Sequence, residues 1–162
     1  MKIAVVMGSK SDLTVMEECS VVLRQFGIDC EMRILSAHRT PDEVTEFSRS
    51  ARDRGFSIII AGAGMSAHLA GVIAAHTTLP VIAVPIASSS LGGVDALLSM
   101  VQMPPGIPVA TMGIGKAGAK NAALLAVEIL SISRPELRER LDYYRQAMRK
   151  DVLESDESIK KL

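Results

Sequence analysis

Ser57-Ile58-Ile59-Ile60-Ala61, running on into Gly62-Ala63-Gly64, is the stretch on which the fold turns. Successive residues of a strand point to opposite faces, so three isoleucines in a row are apolar on both. Such a run needs cover on two sides, which suits a central strand of a parallel sheet. The run at 80–86, Pro-Val-Ile-Ala-Val-Pro-Ile, is a second strand of this kind. Working outward, residues 3–7 predict a first strand, 29–35 a second and 108–112 a fifth. Helical patterns lie between them, at about 13–26, 41–54, 66–76, 92–103 and 117–132. Gly27 and Gly55 are the expected ends of the first two. Thr40, Pro41 and Glu43 read as a capping box with proline at the first helical position.

Strands alternating with helices imply a parallel sheet covered on both faces. The expected fold is α/β: a flavodoxin-like doubly wound sheet, three layers thick, over residues 1–133. Its strand order reverses between the first and third strands, and ligands bind outside the carboxyl ends at such a switch point. The loops at 8–12, 36–40 and 62–68 then converge on one crevice.

Residues 134–162 have a different character. Ser133, Pro135 and Glu136 read as a second capping box. Leu137, Leu141, Tyr144, Met148 and Val152 follow at helical spacing on a highly charged helix. The five-strand domain is complete before this helix begins, so its apolar stripe needs another surface. The Ala- and Leu-rich helices at 66–76 and 117–132 also call for cover on all sides. A homo-oligomer is expected.

Composition narrows the function classes. Lys plus Arg and Asp plus Glu stand at 18 each, so no charge excess points to nucleic acid or a membrane surface. Aromatic residues are 3% and Trp is absent, which disfavours a base-stacking platform. Cys19 and Cys30 have no metal-ligand spacing, and Cys19 reads as a small buried apolar residue. The three histidines are scattered, and no nucleophile elbow is present. The chain opens directly on strand residues without a signal pattern, and no apolar run reaches membrane-spanning length. A cytoplasmic protein is expected.

Three loops carry the candidate chemistry. Gly8-Ser9-Lys10-Ser11-Asp12 sits between a strand and a helix, where backbone N–H groups and small hydroxyls bind phosphate. Simple helix capping by Ser11 or Asp12 is the competing reading. Asp12 suits ribose hydroxyls better than phosphate. In Ser36-Ala37-His38-Arg39, His38 is a proton carrier suited to neutral pH, or a loop histidine bonded to backbone. Arg39 offers a planar fork to phosphate, or an ion pair to Asp42 or Glu43. In the third loop, Gly64 permits close backbone approach, Ser66 is placed to cap the next helix, and His68 falls in that helix's first turn. His76 ends the helix and reads as structural. The Ser- and Gly-rich loop at 87–93 is either a fourth wall or a plain connection.

Met7-Gly8-Ser9-Lys10-Ser11-Asp12, Ser36-Ala37-His38-Arg39-Thr40-Pro41 and the block VQMPPGIPVATMGIGKAGAKNAALLA at 101–126 together resemble the N5-carboxyaminoimidazole ribonucleotide mutases of de novo purine synthesis. The resemblance runs from residue 3 to about 153. It implies migration of a carboxylate from an exocyclic nitrogen to a ring carbon of a ribonucleotide. No metal or organic cofactor is implied. His38 matches the general acid/base. Ser9, Asp12 and Arg39 match substrate-binding positions, with Ser9 and Arg39 on the phosphate and Asp12 on the ribose. Gly8, Ser11, Ser36, Gly64 and His68 are the further pocket residues expected. The resemblance also implies an octamer whose C-terminal helices pack on neighbours. A sister class that carboxylates with free CO2 has Lys where Arg39 stands. The chain departs from the family pattern at Met65, usually glycine, at Ala70, usually proline, and at Ala87, commonly polar.

Overall fold

β1 (Lys2–Met7) is buried from Ile3 onward and lies between β2 (Asp29–Ile34) and β3 (Phe56–Gly64). β4 (Val81–Ile86) and β5 (Ala110–Thr111) continue the sheet, in the order β2-β1-β3-β4-β5 with every pairing parallel. This is the flavodoxin-like doubly wound order, with the reversal at β1 and β3. The computed structural model describes residues 2–160. They fall into two compact units, one up to Ala126 and one from Val127 onward.

The sheet is sealed on both faces by alternation. Ala4, Val6, Ile59 and Ala61 pack in one cluster with Val44 and Phe47 of α2 (Pro41–Ser50) and Ile73 of α3 (Leu69–His76). Met100 of α4 (Val94–Val101) closes the same cluster. Ile3, Val5, Ile58 and Ile60, the intervening residues, are as deeply buried and face the other way. On that side α1 (Leu13–Gln25) approaches β3 so closely that a Cβ on Gly62 would stand 2.3 Å from Met16 Sδ. Cys19 of α1 donates its thiol to the Ala119 carbonyl at 3.1 Å, in α5 (Lys116–Ser131). Burial pushes that thiol up to about 12, so it is an inert core group, as its helical position predicts. At the amino end of β2, Glu31 pairs with Lys2, Arg33 and Arg54. The hydrogen bond from Lys2 is the main cause that holds its carboxyl down at about 2.

Several boundaries differ from the sequence reading, each for a local reason. β3 runs on through Gly64, because pairing with β4 continues to Gly64–Ile86. β5 pairs at Ala110 and Thr111 only. The 41–54 helix ends at Ser50, and its last residues form turns before Gly55, φ 81°. Neither expected capping box forms. Thr40 Oγ1 turns back, accepting from the Ser36 N–H at 2.9 Å and donating to the Ser36 carbonyl at 3.1 Å. Ser133 Oγ likewise donates backward, to the Leu130 carbonyl. The 66–76 helix begins only at Leu69, so His68 stands at its cap position and not in its first turn. Ser66 does not cap it with its side chain. It gives its backbone carbonyl to the His68 N–H.

The second unit holds the end of α5 and α6 (Pro135–Ile159), 25 residues long. Its stripe divides. Leu137 and Leu141 are buried, while Met148 and Val152 are 52% and 68% exposed. No helix among the described residues is long and apolar enough to cross a membrane.

Candidate active site

The loops after β1, β2 and β3 meet at the carboxyl ends of the strands, around a cavity of about 640 Å³. Gly8, Ser9, Ser11, Asp12, Ser36, His38, Arg39, Gly64 and His68 all line it, although they are spread over 60 residues of chain. The sheet order is what brings them together: β1 lies between β2 and β3, so its loop is flanked by the other two.

The loop after β1 folds as one 3-10 turn, Lys10–Asp12, ahead of α1. Ser9 caps the turn, its hydroxyl accepting from the Ser11 N–H at 3.3 Å and from the Ser11 hydroxyl at 3.0 Å. Asp12 makes no capping bond to α1, so the capping reading of that residue fails and its carboxylate is left to the cavity. A Cβ on Gly8 would stand 3.7 Å from Asp12 Oδ2. Only 5% of Asp12 is exposed. Burial raises its carboxyl above the usual range, while the Ser9 backbone, the Ser11 hydroxyl and the Arg39 charge pull it partly back.

The loop after β2 is tied to its neighbours. Thr40 closes it on Ser36, as described above. Arg39 Nε donates to Ser36 Oγ at 3.3 Å, and Arg39 Nη2 to the Gly8 carbonyl at 2.7 Å. The guanidinium thus bridges two loops and makes no ion pair with Asp42 or Glu43, the partners considered from sequence. It stands at the cavity wall with Ser9 and Ser11, where a guanidinium and hydroxyls could together receive an anion.

The two histidines of the site meet each other. His38 Nε2 lies 2.8 Å from His68 Nδ1, with the rings edge to face at 87°. At that distance one nitrogen donates and the other accepts, so a single proton lies between them. Both side chains are exposed to the cavity, and the proton on the facing nitrogens can pass between rings without either ring moving far. His38 is therefore not bonded to backbone, the bland alternative for a loop histidine.

Ala37, Ala63, Met65, Ser66, Leu69 and Ser88 also line the cavity. Ser88 shows that the 87–93 loop supplies a wall. It packs on Gly64, where a Cβ would stand 1.8 Å from Ser88 Oγ and 2.9 Å from the Ile86 carbonyl. The serine-rich composition of the loop marked it from sequence, but nothing singled out Ser88. No cluster of three metal-type ligands exists among the described residues.

The family model described as AIR carboxylase matches residues 2–151. A Pyrococcus abyssi protein named N5-carboxyaminoimidazole ribonucleotide mutase is 59% identical over 149 residues, covering 92% of this chain and 84% of that one. An Escherichia coli K12 protein of the same name is 50% identical over 154 residues, covering 95% and 91%. The crystal structure of Treponema denticola PurE superposes with a TM-score of 0.85 at 31% identity, covering 97% of each chain.

Proposed function

The chain belongs to the AIR carboxylase family, and on that premise we infer that it is an N5-carboxyaminoimidazole ribonucleotide mutase of purine biosynthesis. The observation that carries the chemistry is the pairing of His38 with His68 in the cavity that also holds the Ser9–Asp12 turn and Arg39.

The nucleotide phosphate takes the cradle of Ser9, Ser11 and Arg39, where hydroxyls, backbone N–H groups and a guanidinium fork converge. Asp12 accepts from the ribose hydroxyls. Gly8 and Gly64 let the ligand approach the backbone, and Ser36 keeps Arg39 in place. This orientation brings the aminoimidazole end to the histidine pair.

The reaction then needs one proton out and one proton back. The bond between the exocyclic nitrogen and its carboxylate breaks, its electron pair stays on nitrogen, and His38 supplies the proton that nitrogen takes up. CO2 is released inside the cavity. The amino group makes the adjacent ring carbon nucleophilic, and that carbon attacks the CO2. The proton displaced from the ring carbon returns to His38, so atoms and charge balance without a co-reactant. His68 accepts or returns the proton on the facing nitrogen while His38 changes partner. Holding CO2 beside its acceptor replaces a bimolecular encounter with an intramolecular one.

The name of the family model raises the second reading, carboxylation by free CO2. The two mutase-named relatives and an arginine at position 39 favour migration. Conversion of the N-carboxylated nucleotide, compared with aminoimidazole ribonucleotide plus bicarbonate, separates them. Efficient turnover on bicarbonate alone overturns the mutase reading.

The reading brings with it a cytoplasmic, cofactor-independent homo-oligomer, octameric as in the family resembled. The exposed Met148 and Val152 of α6 support an oligomer, and so does a stripe that sequence reading missed: Leu91, Val94, Leu98 and Val101 on and before α4, each about half exposed or more. A monomer in light scattering overturns it.

A further inference from the structure

Met65 is the one described residue other than glycine with a positive φ, at 56°. Side chains rarely adopt this left-handed conformation, and where one persists the surroundings impose it, commonly at a functional site. Met65 sits on the β3–α3 loop, between Gly64 and His68, and lines the cavity. Its neighbours are locked: Gly64 is wedged against Ser88 and the Ile86 carbonyl, and the His68 N–H is bonded to the Ser66 carbonyl. Yet 60% of this large apolar side chain is exposed. A strained backbone thus presents a large apolar side chain at the cavity, whose other apolar lining residues, Ala37, Ala63 and Leu69, are small or buried, beside hydroxyls, a carboxylate, a guanidinium and two imidazoles.

That combination fits one requirement of the proposed reaction, on which this inference rests. CO2 is small, apolar and weakly hydrated, and escape to solvent competes with capture by the ring carbon. An apolar cover raises the chance of capture by excluding water from the pair. Methionine suits the task because it is unbranched, polarizable and able to fill an irregular gap. An exposed apolar side chain also gains by closing on a bound ligand, which gives the cover a reason to form only when substrate is present. We propose that Met65 is a positioning residue that closes over the aminoimidazole end of the bound nucleotide and retains the CO2 released there.

The test follows the carbon atom. The full-length enzyme is given substrate labelled with 13C in the N-carboxylate, with excess unlabelled bicarbonate and carbonic anhydrase to scramble any CO2 that leaves. Label per molecule of ring-carboxylated product is measured by mass spectrometry and corrected for spontaneous decarboxylation. Wild type keeps most of the label. Met65→Gly, which suits the left-handed backbone and folds, keeps at least threefold less and releases aminoimidazole ribonucleotide. Met65→Leu restores retention. A slower enzyme with an intact cover keeps its label, so retention per turnover is blind to a merely structural role. Equal retention in wild type and Met65→Gly overturns the cover alone. Unlabelled product from wild type overturns the mutase reading and the cover with it.

Discussion

The two walls of the cavity are built on opposite plans. On one side, the loops after β1 and β2 satisfy one another: Thr40 closes on Ser36, Ser9 on Ser11, and Arg39 ties Ser36 to Gly8. On the other, the loop after β3 carries a left-handed Met65 and a His68 whose side chain pairs with His38 of the first wall. Hydrogen-bonded loops hold a fixed geometry, which is what a phosphate and ribose anchor requires. A proton relay and a cover need groups with somewhere to move. On the proposed function, the histidine pair that joins the two walls carries the chemistry and the other side chains of the first wall carry binding, and substitutions of the two sets should separate them.

The largest effect should come from His38→Asn, which keeps the size and a hydrogen bond but removes the titrating group. Turnover should fall by about 1,000-fold, the usual worth of a general acid/base, while substrate Kd by calorimetry stays within about threefold. A comparable loss of binding would show that binding and chemistry are not separable. Arg39→Ala should do the opposite, weakening binding by about 100-fold, or roughly 2.7 kcal/mol, with a single-turnover rate on saturated enzyme within about tenfold of wild type. Arg39→Lys should recover only part of the affinity, because a point charge cannot hold both Ser36 and Gly8. Full recovery would reduce the anchor to charge alone.

Gly64→Ala tests how tightly the second wall is wedged. Its Cβ would meet Ser88 Oγ at 1.8 Å and the Ile86 carbonyl at 2.9 Å. Overpacking of this kind costs about 2 kcal/mol, a fall of roughly 4–8 °C in Tm. Adding Ser88→Ala should return only part of it, since the Ile86 carbonyl is backbone and stays. Additivity of the two changes would mean that Ser88 and Gly64 do not share the contact.

What could be read from sequence follows the same division. Strands buried on both faces leave no freedom in composition, so β1, β3 and β4 were legible from Ile3–Met7, Ile58–Ile60 and Val81–Ile86. The site loops were legible because topology puts them after those strands. The helix starts near 13, 41 and 117 were legible as well, but the capping bonds were not, because Thr40 and Ser133 each had a backward partner that outcompeted the cap. β5 was overestimated because an apolar run does not show how many partners it finds across the sheet. The His38–His68 bond spans 30 residues and depends on how two loops lean together. Met65 was noticed as a departure at a glycine position, but methionine carries no signal for a left-handed backbone, so its conformation waited for the fold.

The smallest effect bears on what the anchoring wall costs the fold. Asp12 is buried, and burial raises its carboxyl above the 3.8 of a free side chain despite the help of Ser9, Ser11 and Arg39. A group whose folded value is raised favours the fold while protonated, below the unfolded value, and that advantage is lost as pH rises through the folded value. At neutral pH the ionised carboxylate is therefore a small debit to stability, and on the proposed function it is the charged acceptor for the ribose hydroxyls. Asp12→Asn should raise Tm by about 1–2 °C at pH 7, as roughly 0.5 kcal/mol does in a chain of this size. The gain should shrink as pH falls through the raised folded value, where the wild-type carboxyl takes up its proton. The same substitution should raise KM by about tenfold, since an amide accepts a hydrogen bond more weakly than a carboxylate. A Tm that falls at pH 7, or a gain that does not change with pH, would show that the bonds from Ser9, Ser11 and Arg39 outweigh burial. Both walls would then stabilise the protein, and only Met65 would remain as a site of stored strain.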